Sequence, residues 1–315
     1  MGIRVEIAKK QNIAHFATAL VQDSLTISQE NLKSDGWGLE SSQTLDLLAK
    51  LQNAGTPLGE YVNGRFYRGI LTGFNEAFVV DKATHNRLID EDASSAKVLK
   101  PFLRGKDVKR WCIDFTDQYL IKIESSENKK YPWSDQPEKE AEKIFAETYP
   151  AIYQYFVQFR EALIKRCDQG KFFWELRSCI YWQEFEQPKI IYPDIYEHQS
   201  FAIERLGFYA GNTCYFIPTD EMWLCGLLNS QIVEWFYSMI SNSIRGGYLR
   251  AFSDYMKQIP IATQTEQKAI EILVQKCLND KGKEVKRIET EIDRLVYQLY
   301  GLTEEEIKIV EGETN

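Results

Sequence analysis

"TCYFIPTDEMWLCGLLNSQIVEWFYSMI", residues 213–240, sets two textures side by side. Cys214 to Ile217 is a short aromatic and β-branched run closed by Pro218, which reads as a strand. Past Thr219, a suitable N-cap, the side chains Trp223, Leu227, Leu228, Val233, Phe236 and Ile240 form a broad apolar stripe, so the spacing predicts one largely buried helix. A strand running straight into a buried helix predicts a mixed α/β (α+β) fold, β-rich with helices packed on it.

Upstream, "PKIIYPDIY" (188–196) and "SFAIE" (200–204) continue the strand texture. Between Gln136 and Cys167 lies a helical stretch broken at Pro150, after which Ile152, Phe156, Phe159 and Leu163 recur at helical intervals. Residues 59–81, "GEYVNGRFYRGILTGFNEAFVVD", carry Asn63-Gly64, a tight-turn signal, and predict strands joined by a hairpin. Before them, Leu45, Leu48 and Leu51 mark a short helix stopped by Gly55 and Pro57. Downstream, Val285, Ile288, Ile292, Leu295 and Leu299 step by three, four, three and four residues, the seam of a helix packed along another, and predict a C-terminal helical pair. Three regions result: a sparse lead-in at 1–42, which fits a chain cut near Met1 from something upstream, a main body at 43–262, and a helical part with an acidic tail at 263–315.

Composition narrows the function. A chain of 315 residues, 44% apolar, buries a substantial core, and no run of about 18 apolar residues spans a bilayer. The expectation is a soluble cytoplasmic protein with no membrane partner. Six cysteines never form Cys-x-x-Cys and three histidines show no metal-ligand spacing, so buried free thiols and no metal site are expected. A net charge of -8 argues against non-specific coating of nucleic acid. Gly-x-Gly-x-x-Gly, a phosphate loop and an Asn-Pro-Pro-Tyr type motif are all absent from the sequence, which predicts no cofactor and no catalytic residue in this chain. "YPDIYEHQS" offers Asp194 and Glu197 to a metal-dependent nuclease, but Gln199 and Ser200 stand where its lysine is wanted.

Binding signals remain. In "SAKVLKPFLRGKDVKRW" (95–111), Lys97, Lys100, Arg104, Lys106, Lys109 and Arg110 oppose only Asp107, a local balance of +5. These cations alternate with Leu103, Val108 and Trp111, which suits an anchored loop presenting charge to phosphates or guanine edges; a solvated face that balances nearby acids fits the composition too. "NSIRGGYLR" brings Arg245, Gly246, Gly247 and Arg250, where paired glycines permit close backbone approach or simply end a helix. Arg68, Thr72 and Gly73 form a third candidate, in a turn between strands.

"GILTGFNEAFVVD", "LKPFLRGKDVKRW" and "LCGLLNSQIVEWFY...RGGYLRAFSDYMKQIPI", followed by "EIDRLVYQLYGLTEEEI", resemble in order and spacing the TaqI-like C-terminal specificity domain of adenine-specific DNA methyltransferases. The resemblance runs from about Trp37 to Ile309. It implies a DNA target recognition domain at 43–262, part of a type II restriction-modification system, that holds double-stranded DNA for a methyltransferase catalytic domain in cis or in trans. S-adenosylmethionine would bind that catalytic domain. The implied DNA contacts are Arg68, Thr72, Gly73, Lys100, Arg104, Lys106, Lys109, Arg110, Arg245, Gly246, Gly247 and Arg250, with Pro101, Phe102, Leu103 and Gly105 shaping the loop. The rival expectation is a protein-interaction scaffold that docks a partner on the Val285–Leu299 seam.

Overall fold

A computed structural model of the chain describes residues 41–241, 248–263, 267–283 and 285–313, together with the backbone of strands at 2–5, 25–28, 32–33 and 36–37. In the lead-in, Gly2–Val5 pairs antiparallel with Leu25–Ser28, and Leu32–Lys33 with Gly36–Trp37. The strands that frame the rest are β1 (Tyr67–Arg68), β2 (Val79–Asp81), β3 (Leu99–Leu103), β4 (Val108–Lys109), β5 (Cys112–Ile113), β6 (Gln118–Ile121), β7 (Lys189–Pro193), β8 (Ile195–Tyr196), β9 (Ala202–Glu204), β10 (Tyr209–Ala210), β11 (Cys214–Ile217) and β12 (Leu249–Arg250). One sheet has the order β10-β3-β6-β2 and another β9-β7-β11-β1, while β4/β5 and β8/β12 are two-stranded ribbons. The helices are α1 (Ser42–Gln52), α2 (Lys82–Glu91), α3 (Glu138–Thr148), α4 (Pro150–Val157), α5 (Arg160–Lys165), α6 (Met222–Leu228), α7 (Gln231–Ile240), α8 (Gln267–Asn279), α9 (Lys286–Leu299) and α10 (Glu304–Glu311). The mixed α/β fold expected from the sequence is the one observed.

The sheet β9-β7-β11-β1 is the partition of the molecule. Period-two alternation sends Ile190, Tyr192 and Ile217 into a core with α1, α6, α7, α8 and α9, and Ile191, Cys214 and Phe216 into a second core with the other sheet and α3, α4 and α5. All five residues of β7 are buried, so the strand carries apolar side chains on both faces. Its one charge, Lys189, is compensated by Glu204 and by the Phe185 carbonyl at 2.6 Å.

The two sheets meet where Ile70 N–H donates to Ala210 O (2.7 Å), Gly69 N–H to Cys214 O (2.9 Å) and Gly211 N–H to Leu103 O (2.8 Å). A Cβ on Gly69 would lie 1.9 Å from Gly211 O, so only glycine lets these backbones cross.

Four local expectations are corrected. Residues 59–81 do not form a hairpin: β1 pairs with β11 and β2 with β6, and Asn63-Gly64, both at positive φ, closes the helical turn Leu58–Tyr61, with Gly64 N–H donating to Gly59 O (2.7 Å). The helix expected over 219–240 is two helices. Asn229 is buried and exchanges hydrogen bonds with both backbone groups of Phe201, and Ser230 takes extended dihedrals, so the chain turns there. Thr219 accepts from Glu221 N–H just before α6 but does not cap it. On α1 the buried face is Leu47 and Leu51, with Leu48 only partly buried.

Asp293 accepts from Gln231 N–H at the start of α7 (2.8 Å). Burial pushes its carboxyl up to about 6, against the opposing pull of that N–H and of Arg110. Folding therefore favours the protonated form. The group's contribution is full below the ordinary value of 3.8 and fades as pH rises through about 6. Asp293→Asn, which keeps an acceptor for Gln231, is expected to raise stability by about 1–2 kcal/mol at pH near 8 and to leave it unchanged near pH 4. Denaturant unfolding at the two pH values checks this.

Candidate nucleic-acid interface

The basic stretch is built on buried anchors. Leu103, Val108 and Trp111 are core residues, and between them residues 105–107 make a single tight 3-10 turn. Asp107 is 1% exposed; its carboxylate accepts from Arg104 N–H (2.7 Å) and from the Thr116 hydroxyl (3.1 Å). Gly105 N–H donates to Thr213 Oγ1 (2.9 Å), and a Cβ on Gly105 would lie 2.6 Å from Thr213 O, so the turn sits directly on the start of β11. The lone acid of this segment is thus the internal brace of the loop. Lys106 and Lys109 are left exposed, and Arg104 is half-exposed with its guanidinium 3.6 Å from Asp107.

Opposite the turn runs the segment from Pro193 through β8 to Ser200. The two walls enclose an open cleft of about 740 Å³, lined by Arg104, Lys106 and Lys109 on one side, by Asp194, Ile195 and His198 on the other, and by Asn75, Asn212 and Thr213. Two further cations, from elsewhere in the chain, lie near its Asp194 wall without lining it. Arg68 on β1 donates to Asn212 O (3.2 Å) and lies over the Tyr215 ring, 5.7 Å from its centroid. Arg250 pairs with Ile195 across the β8/β12 ribbon and stacks on Phe252 at 4.8 Å. Both act on the Asp194 carboxylate, whose pKa is raised by partial burial and drawn back by these two guanidinium groups. Arg104, Lys106 and Lys109 therefore line the cleft itself, while Arg68 and Arg250, far apart in sequence, act on the Asp194 carboxylate in its wall.

Other predicted contacts lie elsewhere. Thr72 is 2% exposed; its hydroxyl donates to Asn75 Oδ1 (2.7 Å), and its carbonyl accepts from Arg166 (3.1 Å). Gly73, at φ +72°, abuts Asp168. This turn reaches the cleft only by holding Asn75. Lys100 stands near Glu186 and Lys122, outside the cleft lining. Arg110 turns inward to an ion pair with Glu289 of α9, donates to Gln199 O (3.3 Å) and lies over the Trp111 ring. Trp111 itself takes φ +69° and donates its indole N–H to Glu289 (2.6 Å), so this pair ties the ribbon to the C-terminal helices. Arg110→Ala is expected to lower stability by about 1–2 kcal/mol, read from thermal melts, with little change in ligand affinity. Arg245, Gly246 and Gly247 lie outside the described residues.

Sequence reasoning missed Asn75 and Asn212, which give no signal in a single sequence, and weighed Asp194 only as a metal ligand. Among the described residues no group of three or more His, Cys, Asp or Glu side chains could hold a metal ion. Cys214, Cys225 and Cys277 are buried free thiols as expected, Cys112 and Cys179 are half-buried, and Cys167 is exposed because it follows the end of α5 at the surface. No helix among the described residues is long and apolar enough to cross a membrane.

A cleft of this kind, set where two small sheets meet and backed by helices, is found in a chain whose residues 100–261 match the TaqI-like C-terminal specificity domain, and the chain belongs to that family. The matched span contains the basic turn, the β8 wall and Arg250. More particularly, the chain is 24% identical over 284 residues to the type II methyltransferase M.XhoI of Xanthomonas vasicola, covering 88% of this chain and 47% of that protein. It is 23% identical over 295 residues to the type II methyltransferase M.PaeR7I of Pseudomonas aeruginosa, covering 89% and 45%. The chain thus spans about half the length of these curated relatives. Among solved structures, its fold is similar to that of the type IIL restriction-modification enzyme MmeI in complex with DNA, with a TM-score of 0.55 and 14% identity over 78% of this chain and 34% of that one.

Proposed function

We propose that the chain is the sequence-recognition region of a type II restriction-modification adenine-N6 DNA methyltransferase, and that the cleft between the 104–109 segment and β8 holds one side of a DNA duplex. The observation that carries this reading is a cleft lined by Arg104, Lys106 and Lys109, with Arg68 and Arg250 acting on Asp194 in its wall, in a chain whose net charge is -8. Membership in the specificity-domain family and likeness to two type II methyltransferases point the same way. Methyl transfer itself, with S-adenosylmethionine, belongs to a catalytic domain acting in cis or in trans.

The test is duplex binding measured across a salt series. With so few cations, log affinity should fall against log salt with a slope between about -2 and -4, since each neutralised phosphate contributes about 0.9. Absence of binding at low ionic strength removes the reading. The scaffold alternative loses its surface, because Val285, Ile292, Leu295 and Leu299 are all buried in the core of the chain itself.

A further inference from the structure

Asp194 and Glu197 both put carboxylates into the lining of the cleft, and Asp194 is the half-buried one. A groove that takes up phosphates gains nothing from a carboxylate among its cations, and a half-buried one also loses hydration. Yet its main chain is fixed at both ends: the Asp194 N–H donates to Thr213 O (2.9 Å) and its carbonyl accepts from Ala251 N–H (2.9 Å). No ion pair within 4 Å engages the carboxylate among the described residues. Arg250, stacked on Phe252, and Arg68, donating to the Asn212 carbonyl, both attract it, and Arg250 pairs with Ile195, the residue next to it.

An acceptor on a fixed main chain with two guanidinium groups acting on it matches the edge of a base pair better than a sugar-phosphate chain. In the major groove cytosine offers an amino donor at N4, and guanine offers the acceptors O6 and N7, which suit a carboxylate and a guanidinium respectively. Adenine also carries an amino group, but it sits beside the N7 acceptor, which a carboxylate repels. The geometry points to Asp194 as a specificity-determining residue that accepts a hydrogen bond from cytosine N4, with Arg250 or Arg68 donating to guanine of the same or the neighbouring pair. This rests on the duplex-binding reading of the cleft.

The experiment is selection from a pool of randomised duplexes with the chain and with Asp194→Asn, followed by titration of the enriched duplex and its single-pair variants. The unsubstituted chain should enrich a word containing a C·G pair, and Asp194→Asn should lose about 10- to 100-fold of discrimination at that one pair, while preferences at other positions stand. Because asparagine both donates and accepts, a shift of that position toward A·T is the sharper form of the result. Asp194→Glu, which keeps the acceptor, should retain the C·G preference, and it carries the test should the asparagine variant fold poorly. An unchanged preference at every position, or the same change in affinity for all duplexes, overturns the assignment and leaves duplex binding intact. Binding without any enriched word also overturns it, whereas no binding at all removes the duplex reading first.

Discussion

Lys106→Glu combined with Lys109→Glu is expected to weaken duplex binding by at least about 100-fold at low salt and to flatten the salt dependence by roughly two phosphates. Both ammonium groups are exposed, and neither takes part in the hydrogen bonds that shape the turn, which run through Asp107, Gly105 and Thr213. The double reversal should therefore leave the fold as it is and change only the sign of one wall of the cleft. Reversing Arg104 is less informative, since a carboxylate there would face the buried Asp107 and disturb the brace. Fluorescence anisotropy of a labelled duplex over a salt series reads affinity and slope together. A titration indistinguishable from that of the unsubstituted chain would detach the 104–109 segment from the interface.

Leu295→Asp is expected to unfold the C-terminal half, or to lower stability by about 3–5 kcal/mol if the chain still folds. Leu295 is 6% exposed in the core formed by α1, α6, α7, α8 and α9. The substitution removes a buried side chain and leaves a carboxylate without a cation among its apolar neighbours. The packing there is close: a Cβ on Gly226 of α6 would come within 2.7 Å of Ile270 and Val274 on α8, so the helices have no room to relax. Denaturant unfolding with light scattering checks it. A variant of unchanged stability that loses a bound protein would restore the scaffold reading.

How much was legible follows the physics of each element. The seam of α9 was read because helical periodicity is local, and burial of Ile292, Leu295 and Leu299 bears it out. β1 was assigned to a hairpin because a two-residue strand has no pattern of its own; its partner β11 lies far along the chain, and Arg68 comes to Asn212 and Tyr215 only through that pairing. The basic cluster was visible as charge, but its division was not. Lys109 and Arg110 are neighbours, and the turn of the β4/β5 ribbon sends one to solvent and the other to Glu289. Asp107 and Asp194 look alike in sequence, and only the fold shows that one is a brace and the other stands in the groove.

The contact between Gly69 and Gly211 bears on how much of this surface is free to vary. Main-chain hydrogen bonds cross there beside the core the two sheets share, and nothing larger than a hydrogen fits at Gly69. The side chains of Asp194 and Arg250 take no part in that crossing, so substitutions there leave the joint between the sheets as it is.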